Sequence, residues 1–270
     1  MTFIEAIILG IIQGATEFLP ISSSGHLILL PSILNLDEPN LNAIAIAHQG
    51  TLLAVLFYFR HDLWQIIRAV LAGLRAGRPW AETQSRLGWY IALGSLPAVV
   101  VGLLFADNID RLLASPGPAA AALIVTGVIL IIGERLLTGY KNLSGMRWGD
   151  ALTIGLAQAL ALVPGISRSG ITISAGLSRG LDRETAARYS FLLGVPAIAG
   201  AGLLAAVDLL QSATASEQIL ELLVTFAAAA VVGYGCIHFL LNWLRQRTLY
   251  LFAGYCLAFG AIYLLLSWLG

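Results

Sequence analysis

Six stretches of this chain, residues 43–59, 87–106, 118–137, 185–207, 218–241 and 249–269, are apolar over lengths near the roughly 20 residues that carry an α-helix across a bilayer. A water-soluble fold does not accommodate six such runs, because helices apolar on every side need lipid or one another around them. Composition agrees. Of 270 residues, 58% are hydrophobic and 11% charged, against about 25% charged in an ordinary soluble domain. Fifteen basic and fifteen acidic side chains cancel, which removes the charge argument for a nucleic-acid or acidic partner. Cys236 and Cys256 lie in apolar runs without CxxC spacing and read as core residues rather than a disulfide or metal pair. The first 19 residues lack a basic leader and contain Glu5, Gln13 and Glu17, so they read as part of the fold rather than as a cleaved signal.

Two regions do not fit the spanning pattern. Residues 3–34 and 150–180 each hold a helix-length apolar run, a Pro/Gly/Ser break, and a second run too short to cross. The basic residues indicate what these regions are. Arg60, Arg68, Arg75, Arg78 and Arg86 lie in one connection, Arg135, Lys141 and Arg147 in another, and Arg245 and Arg247 in a third. The positive-inside rule places all three in the cytoplasm. The region 150–180 then lies between cytoplasmic Arg147 and a span flanked by Arg179, Arg183 and Arg188, so it enters and returns on one side. No Lys or Arg precedes Arg60, which puts the first broken region outside by the same reasoning. The expectation is an all-α polytopic membrane protein with re-entrant helical hairpins at 3–38 and 150–180.

The halves 1–145 and 146–270 repeat within one integral-membrane domain, 1–270. At a constant offset of 145 residues, Ala6 meets Ala151, Gly10 meets Gly155, Gln13 meets Gln158, Ser22 meets Ser167, Ser24 meets Ser169 and Gly25 meets Gly170. Each half holds one hairpin and three spans, and three crossings invert the second half relative to the first. The tips "PISSSGH" and "PGISRSG" are thus expected to meet near mid-membrane, where inverted repeats build binding sites.

Each tip opens a short helix, expected from His26 and Ile171 onward. A helix N-terminus offers unpaired N–H groups and the positive end of a dipole, which suits phosphate. Arg168 adds a fork of donors, and Ser22, Ser23, Ser24, Gly25, Ser167, Ser169, Gly170 and Thr172 complete an anion-binding surface, simplest for a phosphate or diphosphate. An arginine at this depth is costly unless it faces a polar cavity, and therefore reads as functional. Gln13 and Glu17 share a helix face at i, i+4, with Ser23 and His26 beyond the break: a carboxylate, a hydroxyl and an imidazole able to act as base, nucleophile and acid. His48 and Gln49 either line the cavity or make packing hydrogen bonds. Glu134, His238 and Asn242 read as anchors at the cytoplasmic ends.

The motifs "QGATEFLPISSSGH" and "PGISRSG" resemble the two signatures of the bacterial undecaprenyl-diphosphate phosphatases, the membrane family linked to bacitracin resistance, and the likeness runs over almost the whole chain. The resemblance implies hydrolysis of undecaprenyl diphosphate to the monophosphate carrier and inorganic phosphate, in the bacterial inner membrane, with a site open to the periplasm. It assigns catalytic roles to Glu17, Ser23, His26 and Arg168, with Thr172 supporting, and implies a divalent cation, Mg²⁺ or Ca²⁺, held by Glu17 and Gln13. Gln13 stands where the family also uses glutamate, so it can coordinate but cannot act as base. The partners implied are the polyprenyl diphosphate, membrane lipids and a second copy of the chain. At this level Ser23, His26 and a water all remain open as the nucleophile. The rival function is a lipid-phosphate transporter of the same architecture, which needs Arg168 and the helix ends but no base and nucleophile.

Overall fold

The computed structural model describes residues 1–34, 40–113, 116–211 and 219–269, with the side chains of 106–113, 201 and 203–211 outside the description. Among these residues there are eleven α-helices, one 3₁₀ turn at Leu143–Gly145 and no strand. The helices are α1 Phe3–Phe18, α2 Ser23–Leu34, α3 Leu41–Tyr58, α4 Arg60–Arg75, α5 Thr83–Leu113, α6 Pro116–Arg135, α7 Trp148–Leu160, α8 Arg168–Ser178, α9 Arg183–Gln211, α10 Ile219–Leu244 and α11 Tyr250–Leu269.

Local chemistry sets the boundaries. Thr2 and Glu5 cap α1 reciprocally, Glu5 N donating to Thr2 Oγ1 at 3.3 Å and Thr2 N to Glu5 Oε2 at 2.8 Å. The helix stops at Leu19, whose extended backbone is what the following Pro20 requires. Asn40 caps α3 by accepting from Ala43 N at 2.7 Å. In α7 the acid at the third position, Asp150, accepts from Arg147 N at 3.0 Å.

Five helices are long and apolar enough to cross a membrane: α3, α5 as far as Phe105, α6, α10 and α11. They match five of the six expected spans. The sixth, 185–207, falls within the 29-residue α9, which is not among the five and much of whose second half lies outside the described side chains. The first broken region appears as α1 and α2 with the break at 19–22, its last expected residues, 35–38, lying outside the described residues. The second appears as α7 and α8 with the break at 161–167.

Association of helices in lipid depends on close packing rather than on burial from water. Gly10 and Gly14 are four residues apart on α1, and a methyl at either would lie 2.6 Å from Ala228 Cβ or 2.8 Å from the Ala229 carbonyl oxygen of α10. The end of α1 is fixed by Phe18, fully buried and edge-on to Phe191 of α9 with ring centres 5.4 Å apart. That contact holds the turn of helix carrying Glu17.

Candidate active site

The two breaks touch. Ser24 Oγ accepts from Gly165 N at 3.2 Å, and Ser169 Oγ donates to the Leu19 carbonyl at 3.1 Å. Both turns pass through left-handed backbone, Ser22 at φ 70° and Gly165 at φ 90°. Glycine adopts this conformation freely and serine does so under strain, a feature that concentrates at functional sites. Gly165 is also pressed against the Ala119 carbonyl of α6, and an added Cβ would lie 2.7 Å from Ala122 Cβ. Thr126 of α6 fastens this loop by donating to the Gly165 carbonyl and accepting from Ser167 N, both at 3.0 Å.

The short helices begin three residues earlier than the sequence suggested, at Ser23 and Arg168 rather than at His26 and Ile171. The reason is capping. Ser22 Oγ accepts from Gly25 N at 3.2 Å and Ser167 Oγ from Gly170 N at 3.1 Å, so each serine satisfies an amide of the first turn. Ser23 and Arg168 thereby become the first residues of α2 and α8, each beside the positive end of its own helix.

Glu17 joins the parts. Arg168 Nη2 donates to Glu17 Oε1 at 2.7 Å, while Ser23 Oγ and Gln13 Nε2 donate to Glu17 Oε2 at 2.8 and 2.9 Å. The carboxylate is 7% exposed, the serine is partly buried, and the Arg168 side chain is 16% exposed. A carboxylate oxygen this close to a hydroxyl hydrogen is placed to take its proton. The guanidinium, held in addition by the Ser190 carbonyl at 3.3 Å, keeps further N–H groups for another anion. It fits because Gly194 of α9 has no side chain: a Cβ there would lie 2.7 Å from Arg168 Cζ.

Thr16, Glu17, Ser22–Ser24, His48, Ala161, Ile166, Ser167 and Arg168 line a cavity of about 170 Å³. His48, for which packing was an equal reading, faces this cavity with Nε2 3.8 Å from Glu17 Oε2, its Nδ1 bonded to the Ile44 carbonyl at 2.9 Å. Gly25, Ser169, Gly170 and Thr172 are buried behind the lining. Thr172 Oγ1 bonds the Arg168 carbonyl and Ser190 Oγ, both at 2.7 Å, and so braces α8 rather than facing the cavity. His26 also points elsewhere: Nδ1 meets the Ser22 carbonyl at 2.8 Å, Nε2 meets Tyr255 Oη at 2.6 Å, and its ring stacks on Tyr255 and Phe259 of α11. Gln49 does not join the cavity lining, and its Nε2 is buried without a hydrogen bond.

Glu134 is not the interface anchor expected of it. It is buried, it accepts from both Arg183 Nε, at 2.6 Å, and Arg183 Nη2, and it caps the start of α11 by accepting from Leu249 N at 2.9 Å. His238 and Asn242 bond each other at 2.9 Å on an exposed face of α10. Cys236 and Cys256 are free thiols. Thr126, Ser190, Gly194 and Tyr255 escaped the sequence reading because each sits inside an apolar run with no motif to mark it.

Fold and cavity together define a multi-pass α-helical membrane protein with a polar chamber where two helix starts converge. Comparison with known proteins narrows this class. Residues 6–262 match the family model described as bacitracin resistance protein BacA, and the chain belongs to that family. It is similar to the undecaprenyl-diphosphatase of Chlorobium phaeobacteroides (strain BS1), 46% identical with 96% of this chain and 95% of the relative covered. It is also similar to the protein of the same name from Thermomicrobium roseum, 46% identical with 97% and 96% covered, and to that from Chloroherpeton thalassium, 43% identical with 100% and 98% covered.

Proposed function

We propose that this protein is an undecaprenyl-diphosphate phosphatase, removing the terminal phosphate of the lipid diphosphate and returning the monophosphate carrier to cell-wall synthesis, with bacitracin resistance as the consequence. Family membership supports the substrate and reaction. The observation that carries the chemistry is Ser23 Oγ at 2.8 Å from a Glu17 oxygen whose partner oxygen lies 2.7 Å from Arg168. A transporter would need the guanidinium but not a hydroxyl poised against a base.

Glu17 takes the proton of Ser23 as Oγ bonds to the terminal phosphorus. The P–O bond of the anhydride breaks, and the lipid monophosphate leaves with the electron pair. Arg168 and the amides opening α2 and α8 stabilise charge on the equatorial oxygens. Glu17 passes the serine proton to the departing monophosphate and, a carboxylate again, deprotonates a water that attacks the phosphoserine. The Oγ–P bond breaks, the proton returns from Glu17 to Ser23 Oγ, and inorganic phosphate leaves. His26, engaged on both ring nitrogens, serves this scheme by fixing α2 against α11. The resemblance also implies a divalent cation. Gln13 Oε1 is buried without a hydrogen bond beside Glu17, and these hard oxygen donors suit Mg²⁺ or Ca²⁺ completed by substrate phosphates. Gln13 and Glu17 would hold it, and it would neutralise phosphate charge.

The two helix pairs are re-entrant hairpins of an inverted repeat, with α9 as the sixth crossing, both termini outside and the cavity open to the periplasm. The arginine distribution supports this arrangement. Cysteines placed at positions 75 and 110 should label from opposite faces, and labelling from one face would refute it. Purified protein in detergent should release inorganic phosphate from undecaprenyl diphosphate, and Ser23→Ala should lose that release while retaining substrate. Normal turnover by the alanine variant would move the nucleophile to water.

A further inference from the structure

Helix α4 is the amphipathic element of the molecule that the chemistry above does not use. A single residue, Phe59, separates it from the spanning helix α3, so it begins where the chain leaves the membrane. Its 16 residues make about 24 Å of helix, too short to cross a hydrocarbon core of about 30 Å. Its start is tied to α9, with Arg188 Nη2 2.9 Å from Asp62 Oδ1, and its inner face packs Ile66 and Val70 against Gly88 of α5.

The outer face carries two kinds of side chain. Trp64, Ile67, Leu71 and Leu74 follow one another at helical spacing and are 66%, 51%, 49% and 51% exposed. Beside them Arg68 and Arg75, with Arg78 in the turn after the helix, are exposed. Among the described residues none of these three arginines pairs with an acid: Asp62 is taken by Arg188, and the other ion pairs involve no residue of α4 or the turn after it. An apolar stripe edged by unpaired guanidinium groups, at the end of a membrane span, matches a surface that is apolar inward and anionic outward.

We propose that α4 and its following turn form a binding site for anionic phospholipid headgroups, lying in the interface with Trp64, Ile67, Leu71 and Leu74 in the acyl region and Arg68, Arg75 and Arg78 on the phosphates. The charge complementarity decides for anionic over zwitterionic lipid. Each basic residue held at an anionic surface is worth about fivefold in partition, so three together set a preference on the order of 100-fold.

The test is native mass spectrometry of the full-length protein in detergent, titrated with phosphatidylglycerol and with phosphatidylcholine. The wild type should retain phosphatidylglycerol at least tenfold better. The triple variant Arg68→Gln, Arg75→Gln, Arg78→Gln should lose most of that preference while keeping its melting temperature without added lipid and its rate of phosphate release in detergent. The lysine counterpart at the same positions should keep the preference. A glutamine variant that still favours phosphatidylglycerol as the wild type does would overturn the proposal, as would a lysine variant that loses the preference. Equal retention of both lipids by the wild type would refute it directly and leave these arginines as determinants of topology or of a protein contact.

Discussion

The first helix pair, α1 and α2, and the second, α7 and α8, share a local plan and differ in the polar side chains they bring to the cavity. In both, an acid at the third position caps the first helix, a serine caps the second, and the turn between them passes through positive φ. Where the plan is shared the residues agree: Ser22 with Ser167, Ser24 with Ser169, Gly25 with Gly170. Elsewhere they part: at the same offset Glu17 meets Leu162, Ser23 meets Arg168 and His26 meets Ile171. In the proposed mechanism the first residue of each short helix is the working one, Ser23 as nucleophile in one pair and Arg168 as phosphate clamp in the other. Two similar turns thus supply two positive helix ends, while a carboxylate on one pair and a guanidinium on the other face each other across the contact.

That division is most directly broken at Glu17. Glu17→Gln keeps size and hydrogen bonding but removes the proton acceptor, and phosphate release should fall at least about 100-fold, within the range for a lost general base. A phosphate-release assay with binding measured in parallel checks this, and partial recovery at raised magnesium would reassign Glu17 to holding a cation. The second pair is tested next. Arg168→Lys retains charge without the bidentate fork and should cost about 2 kcal/mol or more of transition-state stabilisation, read from kcat/KM. Near-normal turnover would make Arg168 a structural contact between the two pairs.

The matching glutamines sharpen the comparison. Gln13 donates to Glu17 at 2.9 Å, whereas Gln158 is buried with neither amide atom hydrogen-bonded. Gln13→Leu should lower activity about tenfold, by the loss of one charge-assisted hydrogen bond of about 1.5 kcal/mol. Gln158→Leu should leave activity unchanged and raise stability by about 1 kcal/mol or more, because it removes a desolvated amide. Thermal melting and turnover of the two variants separate these outcomes, and equal effects at both positions would dissolve the distinction.

The smallest expected effect lies at the capping acids. Glu5 is exposed, but Asp150 is 1% exposed, with Lys141 Nζ at 3.0 Å and Arg179 Nε at 2.9 Å. Burial raises the Asp150 pKa, and hydrogen bonds from Lys141, the Arg147 amide and Arg179 more than offset it, holding the carboxyl below its usual range. A depressed folded pKa gives stability that is present above the unfolded carboxylate value, about 3.9, and lost as pH falls through the folded value. Wild-type melting temperature should therefore drop below about pH 4, with a shallower drop in Asp150→Asn. At neutral pH that variant should cost about 1 kcal/mol, limited by the 36% and 45% exposure of its two partners. Glu5→Gln should change melting by a few tenths of that, and a flat Asp150 response would remove the asymmetry.

Much of the fold was legible in sequence because lipid leaves few options: a backbone in hydrocarbon must bond to itself, so apolar runs of spanning length become helices. Gln13, Glu17, Ser23 and Arg168 stood out for a related reason, polar groups in such runs being costly unless they find partners, and here Gln13, Ser23 and Arg168 all bond to Glu17. Helix starts were misplaced by three residues because capping depends on a serine's backbone angles, which its one-letter code does not carry. Glu134 was misread because its value as an anchor or a buried cap depends on whether Arg183 and Leu249 fold back onto it.

The sequence by itself determined the membrane setting, the two broken helix pairs and the polar residues with chemical capacity, since these follow from local composition and spacing. Only the tertiary structure decided which of those residues meet. It brought Arg168 to a carboxylate 151 positions away, turned His48 toward that carboxylate, and turned His26 away from it to Tyr255. The physical reason is that such contacts rest on how closely helices approach and how they rotate. That is set by small residues such as Gly10, Gly14 and Gly194, whose effect exists only in the presence of the neighbour they admit.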